Sequence, residues 1–387
     1  MEVKPGYKQP EVGEASNQWR DCDISDLCLL QRGFDITEAT KKVGTIPVYS
    51  SSGFSYFHNE SKLQPPAVIT GRKGMLGKVF YIEEPCWPHD TTLWVKDFKG
   101  NEPRFVHIFL SQFRLERFDA ATSVPTLNRN NLRGIPIRLP QPSEQRAIAT
   151  ALSDVDGLLG GLDRLIAKKR DLKQAAMQQL LTGQTRLPGF HGEWEVKRLG
   201  DVATFFKGKG LPKSALSESG AERCIHYGEL FTRYPETIGE IFSRADISSG
   251  VFRSVANDVL MPTSDVTPRG LAKASCIRVD GVILGGDILV IRSDTNLVHG
   301  PFLSLVIRYE ETQVLQLVTG STVYHLYGSN MKNFTFSLPT LPEQTAIAEV
   351  LTEMDAELAG LEQRREKTRA LKQAMMQELL TGRTRLI

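Results

Sequence analysis

The chain has 387 residues, enough for two or three domains of ordinary size, and its 41% hydrophobic and 24% charged residues are typical of a folded globular protein. No apolar run is long enough to cross a bilayer and no signal-peptide pattern opens the chain, so we expect a cytoplasmic protein. A formal net charge of +2 argues against a protein that holds a polyanion alone by charge neutralisation, unless its basic groups gather on one face.

The first segment, residues 1–138, predicts a mostly β domain after a polar, flexible lead-in that ends near residue 16. Short β-branched and aromatic runs between glycines and prolines predict strands at 66–70 and 79–82, and residues 46–54 predict a strand that breaks into a small-residue loop. Residues 105–113 are predicted to form a helix. The loop at 71–78 places Arg72, Lys73 and Lys78 between glycines.

Residues 139–187 and 338–386 are two copies of one stretch, which align without a gap with about 27 of 49 positions identical. In each copy, apolar residues recur at alternating steps of four and three, which predicts a long helix with one apolar stripe, as in a coiled coil. The predicted seam residues are Ile148, Leu152, Val155, Leu159 and Leu162 in the first copy and Ile347, Leu351, Met354, Leu358 and Leu361 in the second.

The ends of both predicted helices carry matching signals. Glu144-Gln145 and Glu343-Gln344 place a carboxylate and an amide in the first turn, where unpaired backbone N–H groups and the helix dipole favour them. Gly183 and Gly382 suit a left-handed C-terminal cap. A helix from residue 144 to residue 181 would be roughly 57 Å long at ~1.5 Å per residue, and it needs a partner for its apolar stripe.

The other copy is the simplest partner, because two unrelated surface helices have no reason to share so many residues. The sequence therefore predicts an α+β fold with a pseudo-twofold internal repeat: two mostly β domains separated by two long antiparallel helices that form a coiled coil. The predicted segments are a first domain at 1–138, a helical region at 139–187, a second domain at 188–337 and a second helical region at 338–387.

The second domain begins and ends like the first but differs in the middle. Trp194 aligns with Trp19, and Lys207-Gly208 aligns with Arg32-Gly33. Residues 321–339 align with residues 122–140 at the same offset as the helices. Shared edges with different middles are what we expect of one scaffold used for two different recognition tasks.

The sequence offers little for catalysis. The loop at 71–78 lacks the glycine spacing of a phosphate-binding loop, and Val79 stands where that motif requires serine or threonine. The histidines are unclustered along the chain, and no pair of the five cysteines is spaced for a metal. We therefore predict no catalytic residue, no metal site and free thiols.

Loop residues of both domains have the chemistry to contact base edges or phosphates. Each one alone could equally be a solvated polar residue, so the prediction depends on the whole set and on its presence in both halves. The candidates are Ser51, Arg72, Lys73, Lys78, Asn128, Arg129 and Asn130 in the first domain and Lys207, Lys209, Lys213, Tyr227, Thr263, Ser264, Thr267 and Arg269 in the second.

Three motifs give the chain a family resemblance over nearly its whole length. They are the Trp-x(4)-Leu-Gly-Asp-Val opening at Trp194, which is weaker at Trp19, the Leu-Pro-x(3)-Glu-Gln-x-Ala-Ile start of each helix and its Leu-Leu-Thr-Gly end. With this order of segments, the chain resembles the DNA-specificity (S) subunit of a type I restriction-modification system. In that family each target-recognition domain recognises one half of a split, asymmetric site, and the helices set the spacer and dock methyltransferase subunits.

The resemblance implies a non-catalytic DNA-binding subunit that binds no cofactor itself. The implied partners are double-stranded DNA, two methyltransferase (modification) subunits that use S-adenosylmethionine, and restriction/translocase subunits that use ATP with Mg²⁺ in defence against foreign DNA. No membrane is implied. Two alternatives remain open from the residues alone: a single-chain DNA-modifying enzyme and a coiled-coil scaffold that binds only protein.

Overall fold

The computed structural model describes residues 19–119, 123–247 and 249–386, so the predicted lead-in lies outside the described residues. The chain divides into two compact units. The first runs to Asp163 and also includes Arg364 onward, and the second is Arg164–Gln363. Each unit therefore contains one domain and a part of each long helix, whereas the segments predicted from the sequence keep each helix whole.

The first domain is built from small, mainly antiparallel sheets. Its strands are β1 (Arg20–Asp23), β2 (Leu29–Arg32), β3 (Ile46–Ser50), β4 (Gly53–His58), β5 (Ala67–Gly71), β6 (Val79–Ile82), β7 (Trp87–Pro88), β8 (Thr92–Asp97) and β9 (Pro136–Leu139). Its helices are α1 (Ile24–Leu27), α2 (Pro103–Gln112) and the 3-10 helices Leu115–Phe118 and Arg129–Leu132. The predicted strands at 66–70 and 79–82 and the predicted helix at 105–113 are confirmed as β5, β6 and α2. The strand predicted from residue 46 is β3, and the small-residue loop after it is a tight turn at 51–52 that leads into β4.

The second domain lies between the long helices α3 (Pro142–Leu181) and α9 (Leu341–Leu379) in the chain. Its strands are β10 (Glu195–Arg198), β11 (Ala203–Lys207), β12 (Glu222–Ile225), β13 (Thr237–Ile238), β14 (Ser243–Ala245), β15 (Phe252–Arg253), β16 (Val259–Pro262), β17 (Ser264–Asp265), β18 (Ser275–Ile277), β19 (Ile283–Leu284), β20 (Ile288–Ser293), β21 (Tyr324–His325) and β22 (Thr335–Leu338). Its helices are α4 (Leu199–Val202), α5 (Glu229–Thr232), α6 (Gly300–Tyr309), α7 (Glu311–Leu317), α8 (Gly328–Met331) and the 3-10 helices Lys213–Ala215 and Pro268–Ala272.

The central sheets of the two domains share one strand order. The order is β2-β8-β5-β6 in the first domain and β11-β20-β16-β18 in the second, and the neighbours within these sets of four are antiparallel. In the second domain β13 adds a fifth strand, parallel to β18. A glycine follows the first of these strands in each case. A Cβ on Gly33 would lie 2.0 Å from the backbone oxygen of His89, and one on Gly208 would lie 2.0 Å from that of Gly285. Only glycine fits at either position, which accounts for the shared Arg-Gly and Lys-Gly pairs.

Parts of both long helices complete the core of each domain. In the first, Ile148 of α3 and Leu379 of α9 are buried in the cluster that contains Phe105 of α2. In the second, Leu180 of α3 and Leu351 of α9 are buried in the cluster that contains Phe302 of α6, together with Ile347. A fully buried side chain of this size contributes roughly 1.5–3 kcal/mol. The ten predicted seam residues are all buried or half-buried. Several of them pack in the cores of the domains, namely Ile148 and Leu152 in the first and Ile347, Leu351 and Met354 in the second.

Ion pairs join α3 to α9 within each unit. They are Asp156–Lys372 (2.6 Å) and Asp163–Arg365 (3.4 Å) in the first unit and Lys169–Glu357 (2.7 Å) and Lys173–Asp355 (2.5 Å) in the second. In both units a later position on α3 pairs with an earlier position on α9, so the paired helix segments run antiparallel. Such partly exposed pairs contribute at most about 1 kcal/mol each to the free energy of unfolding. Their value is that they show the relative direction of the two helix segments.

A buried ion pair stands at the start of each long helix. Glu144 is 6% exposed and accepts hydrogen bonds of 2.5 Å from both Nε and Nη2 of Arg385, which follows the end of α9. Glu343 is fully buried and accepts two bonds of 2.5 Å from Arg186, which follows the end of α3. We call these two pairs the helix junctions. A carboxylate withdrawn from water needs a partner of this kind, since an unpaired buried charge is costly.

The glutamine beside each buried glutamate binds the neighbouring domain. Gln145 accepts from the backbone N–H of Glu102 at 2.9 Å, immediately before α2, and donates to Asn101 at 2.7 Å. Gln344 accepts from the backbone N–H of His299 at 2.8 Å, immediately before α6. The prediction that each Glu-Gln pair lies in the first turn of its helix is confirmed. In addition, the two side chains tie that helix to the segment after the other long helix and to the residues before a domain helix.

The predicted left-handed caps are confirmed, with φ of 71° at Gly183 and 74° at Gly382. A Cβ on Gly183 would lie 3.4 Å from the ring of Trp194, and one on Gly382 would lie 3.1 Å from the ring of Trp19. The tryptophan that opens each domain therefore packs directly against the end of a long helix. This gives the tryptophan and glycine that the two repeats share a common structural role.

The cysteines are free thiols, as predicted, and Cys28, Cys86, Cys224 and Cys276 are buried. Burial raises the pKa of Cys28 to about 12, so this group remains a neutral, unreactive thiol at physiological pH. Within the described residues, none of the helices combines the length and the hydropathy required to cross a membrane.

Arg385→Ala removes the cation from the first helix junction and leaves Glu144 buried without its main partner. We expect the free energy of unfolding to fall by about 3–5 kcal/mol, the usual cost of breaking a buried ion pair. Urea unfolding of the full chain measures this loss. Arg369→Ala is the matched control, because Arg369 forms an exposed pair with Glu366 on the same helix and its loss should cost under about 1 kcal/mol. Equal losses in the two variants would contradict the role of the junction.

Candidate nucleic-acid interface

The first domain contains a cleft of about 720 Å³ beside β2 and the 3-10 helix Arg129–Leu132. The turn that follows β5 contributes one wall through Arg72, and β8 contributes Lys96. We refer to it as the first cleft. Its polar lining is dominated by cations and amides, namely Gln31, Arg32, Arg72, Lys96, Asn128, Arg129 and Arg133.

The second domain contains a cleft of about 830 Å³ beside β11 and α8, next to the residues that follow β16. This second cleft differs in chemistry, because aromatic and hydroxyl side chains take the place of most of the cations. Its lining includes Phe205, Phe206, Lys207, Thr263, Ser264, Asp287, His325, Tyr327, Ser329 and Lys332.

The two clefts occupy the same place in the two domains. In the first, the backbone N–H of Leu127 donates to the carbonyl of Arg72 at 2.8 Å. In the second, the N–H of Leu326 donates to the carbonyl of Thr263 at 3.0 Å. Residues 127 and 326 are separated by the offset of the repeated helices, and each contact extends a central strand of its sheet. Arg72 and Thr263 therefore stand at equivalent backbone positions.

The cations of the first cleft are oriented by hydrogen bonds. The Nη2 group of Arg32 contacts Asp90 at 2.9 Å, and the Nη1 group of Arg72 donates to the backbone oxygen of the same aspartate at 3.0 Å. Arg129 donates to the backbone oxygen of Leu30 at 3.3 Å. Within the part of the chain that the structure describes, Arg32 alone of these three pairs with a carboxylate. The first cleft therefore has the positive charge that attracts phosphates and guanine.

Charges beside the second cleft are largely compensated. Lys207 lies 3.5 Å from Asp287. Arg292 lies over the ring of Phe206, but its guanidinium donates two bonds of 2.8 Å to the buried Asp258, and this contact raises the pKa of Arg292. The stacked rings of His325 and Tyr327, 6.0 Å apart, border this cleft. The second cleft can therefore offer hydroxyl groups and aromatic faces more readily than unpaired cations.

The structure brings three of the first-domain candidates, Arg72, Asn128 and Arg129, together in the first cleft. Lys73 is exposed beside Arg72, while Lys78 is exposed further along the same loop. Ser51 is only 9% exposed and lies against Gly71 and Gly74, so it supports the loop. Asn130 is exposed next to the cleft lining.

Among the second-domain candidates, Lys207, Thr263 and Ser264 line the second cleft. The others lie outside that lining. Tyr227 is packed between the rings of His226 and Phe231, and Arg269 pairs with Glu311 at 2.7 Å. Thr267 donates to Asp265 at 2.8 Å. Lys209 and Lys213 are exposed. All fifteen candidates remain predictions as DNA contacts.

Sequence reasoning missed several residues that line the clefts, including Arg32, Lys96, Arg133, His325, Tyr327 and Lys332. A signal for some of them was present. Tyr327 and Lys332 align with Asn128 and Arg133 at the offset of the helices, and Lys207 aligns with Arg32. Because Asn128 and Lys207 are candidates, the alignment indicates Tyr327 and Arg32, whereas neither member of the Arg133–Lys332 pair is a candidate.

Folding also brings together three side chains of types that can bind a metal ion, although the first of them is distant from the other two in the sequence. Asp35, His89 and Asp90 place one oxygen or nitrogen each within 4.8 Å of one another. Asp90 already binds Arg32, and His89 Nδ1 lies 3.0 Å from a carboxylate oxygen of Asp90. The ion pair with Asp90 orients Arg32 at the edge of the first cleft. His89 and Asp90 therefore have a structural role that requires no metal ion.

Comparison with known proteins gives the class of protein that this fold and these clefts define. The profile of the family described as "Type I restriction modification DNA specificity domain" matches residues 17–166 and 191–369. Because these two matches cover most of the chain, the chain belongs to this family. It is a type I restriction-modification specificity subunit, which is a DNA-recognition subunit and not an enzyme.

Individual relatives agree with this assignment. The chain is 23% identical over 420 residues to the putative type I restriction enzyme MjaX specificity subunit of Methanocaldococcus jannaschii, covering 98% of this chain and 97% of that protein. It is 23% identical over 304 residues to the MjaVIII specificity subunit of the same organism, covering 73% and 70%. Its fold is similar to that of the S subunit from M. genitalium, with a TM-score of 0.64, 14% identity and 98% of each chain covered.

Arg133 and Lys332 are exposed cations at equivalent edges of the two clefts, and neither forms an ion pair with another described residue. If both contact phosphates, Arg133→Ala and Lys332→Ala should each make the negative slope of log affinity against log salt shallower by about 1. Fluorescence anisotropy of labelled DNA with the assembled complex at several salt concentrations measures the slope. Lys62→Ala, which removes a lysine paired with Glu60 outside the clefts, should leave it unchanged. Equal slopes for all variants would exclude these two phosphate contacts.

Proposed function

We propose that this specificity subunit recognises a bipartite, asymmetric DNA site, with each domain binding one half. The observation that carries the proposal is the pair of clefts at equivalent backbone positions. Their shared frame, marked by the Leu127–Arg72 and Leu326–Thr263 hydrogen bonds, suits one mode of docking on a duplex. Their different side chains suit two different base sequences, since specificity comes from contacts to base edges.

The long helices are proposed to form an antiparallel coiled coil that sets the spacer between the half-sites. The direction of the ion pairs in each unit and the burial of the predicted seam residues support this arrangement. A helix of 40 residues is about 60 Å long at ~1.5 Å per residue. Because DNA rises ~3.4 Å per base pair, such a helix limits the separation to about 17 base pairs.

The same helices are proposed to dock two methyltransferase subunits. Leu158, Leu165 and Leu172 recur at seven-residue intervals along α3 and are 44%, 39% and 47% exposed, which is the pattern of a stripe that a partner helix covers. In the assembled complex the methyltransferases would use S-adenosylmethionine, and restriction/translocase subunits would use ATP with Mg²⁺. The net charge of +2 fits a chain that shares the binding of DNA phosphates with such partners.

Membership of a family of non-catalytic subunits removes the single-chain enzyme from consideration. A scaffold that binds only protein is the remaining alternative. It differs in one measurable respect, because a scaffold would select no DNA sequence from a random pool even in the presence of methyltransferase subunits.

Replacing residues 194–337 with the corresponding domain of another specificity subunit should change one half-site and leave the other intact, because the first cleft lies wholly in the first domain. Methylation sites mapped across a genome, or sequences selected from a random pool, show the result. The exchange of a domain for an identical copy with the same junction sequences is the control. A change in both half-sites would mean that the domains do not recognise DNA independently.

A matched insertion tests the role of the helices. Seven residues, one heptad, are added after Ala167 in α3 and after Gly360 in α9, at the level between the Asp163–Arg365 and Lys169–Glu357 pairs. This preserves the seam and adds about 10 Å, so we expect the spacer to grow by about three base pairs.

The control carries seven glycine and serine residues between Gly189 and Gly192, outside both helices. It should leave the spacer unchanged. A spacer that stays constant in the helix variant, while both half-sites remain recognised, would contradict the proposal that the helices set the distance.

A further inference from the structure

The two clefts carry different side chains, Arg72 and Thr263, at equivalent backbone positions. Arg72 and Thr263 each follow a central strand, and each accepts a hydrogen bond from the leucine at the equivalent position, Leu127 or Leu326. We propose that Arg72 recognises a guanine in the half-site of the first domain, and that the second domain recognises its half-site without an arginine–guanine contact at this position. This inference rests on the proposed function and assigns one base preference within it.

The main chain holds Arg72 in a fixed position. Its N–H donates to the carbonyl of Thr91 at 2.8 Å, and its own carbonyl accepts from Leu127 at 2.8 Å. A residue fixed on both sides loses little further backbone entropy when it binds a base. By contrast, a mobile loop lysine is better suited to contact phosphates at several positions.

The side chain of Arg72 is held with one edge left available. Its Nη1 group donates to the backbone oxygen of Asp90 at 3.0 Å, which fixes the plane of the guanidinium. Among the described residues, no hydrogen-bond acceptor engages its Nε or Nη2. These two groups form a pair of parallel donors. The carboxylate of Asp90 pairs with Arg32, and no carboxylate of the described residues forms an ion pair with Arg72.

Two parallel donors match guanine better than any other base. Guanine presents two acceptors, O6 and N7, on its major-groove edge, whereas adenine places an amino donor beside N7. Cytosine presents a donor, and thymine presents a single acceptor beside its methyl group. The available edge of Arg72 can therefore form two hydrogen bonds only with guanine among the four bases.

The second cleft cannot offer the same pair of donors from the equivalent place. Thr263 is 8% exposed and has a single hydroxyl group. The guanidinium of Arg292 lies over Phe206 of that cleft, but it donates from both Nε and Nη2 to the carboxylate of Asp258. The two half-sites should consequently differ at this position, even though the backbone frame is the same.

The test selects bound sequences from a random DNA pool, using the full chain assembled with its methyltransferase subunits. The wild-type complex should require a G·C pair at one position of the first half-site. Arg72→Thr, which installs the residue found at the equivalent position, and Arg72→Lys, which keeps the charge but not the paired donors, should both reduce that preference by roughly 10-fold to 100-fold. The other positions of both half-sites should be unchanged.

Lys62→Ala is the control, because Lys62 pairs with Glu60 outside both clefts. It should leave both the affinity and the sequence preference unchanged. A second measurement does not depend on the folding of any variant. Replacement of the guanine by 7-deazaguanine in the selected duplex removes N7 but preserves base pairing, and it should weaken wild-type binding by roughly 10-fold.

The outcomes separate this inference from the function on which it rests. A bipartite site whose guanine preference is unaffected in Arg72→Lys and Arg72→Thr, or wild-type binding that is indifferent to 7-deazaguanine, overturns the role of Arg72 and leaves the function standing. Uniform weakening of all sequences in both variants assigns Arg72 to a phosphate and overturns the inference as well. If the wild-type complex selects no bipartite site, the proposed function fails and this inference fails with it.

Discussion

A buried carboxylate at the start of each long helix is the constraint on which the rest of the structure depends. Glu144 and Glu343 are almost completely removed from water, and a charge in that position is tolerated only with a well-aligned partner. The partner in each case, Arg385 or Arg186, comes from the segment after the other long helix. Each unit is therefore complete only when the start of one helix meets the end of the other.

This constraint accounts for several features of the repeat that would otherwise be unrelated. The glutamine beside each carboxylate satisfies a backbone N–H in front of α2 or α6, which fixes the domain against the helix. The glycine cap before each arginine allows Trp19 or Trp194 to pack closely. The identical residues of the two helical copies thus include the groups that join helix to helix and helix to domain. Away from these contacts, the residues in the middle of the first domain differ from those in the middle of the second.

The variation is concentrated where recognition would occur. A backbone frame with the same strand order surrounds both clefts, but the first presents arginines held by backbone carbonyls and the second presents hydroxyls and stacked rings. Under the proposed function, the shared backbone frame would position both domains on DNA in the same way. The side chains in the clefts would then set two different base preferences.

Much of the fold was predictable from the sequence, because long-period identity and apolar spacing are strong signals. The two helices, their glycine caps and the main strands of the first domain were predicted near their observed positions. The burial of Glu144 was not predictable, since a glutamate in a first helical turn is normally solvated and its partner lies far away in the chain. Equally, the division of each helix between two units follows from packing that the sequence pattern does not contain.

The candidate site was predicted less completely for a similar reason. Residue chemistry identified Arg72, Asn128 and Arg129, which the fold brings into one cleft. It did not identify Arg32, which lies on β2 and lines the cleft beside β8, its partner strand. It also did not identify Tyr327, which lines the second cleft next to the Leu326–Thr263 hydrogen bond. Candidates such as Arg269 satisfied the same chemical criterion, but in the fold Arg269 is engaged by Glu311.

The most direct test of the central claim is a selection of bound DNA by the wild-type chain assembled with its methyltransferase subunits. Two domains that share a frame and differ in their cleft side chains should select two different short sequences, separated by a constant number of unselected base pairs. Enrichment of two identical half-sites, of a single uninterrupted sequence, or of no sequence would contradict the account.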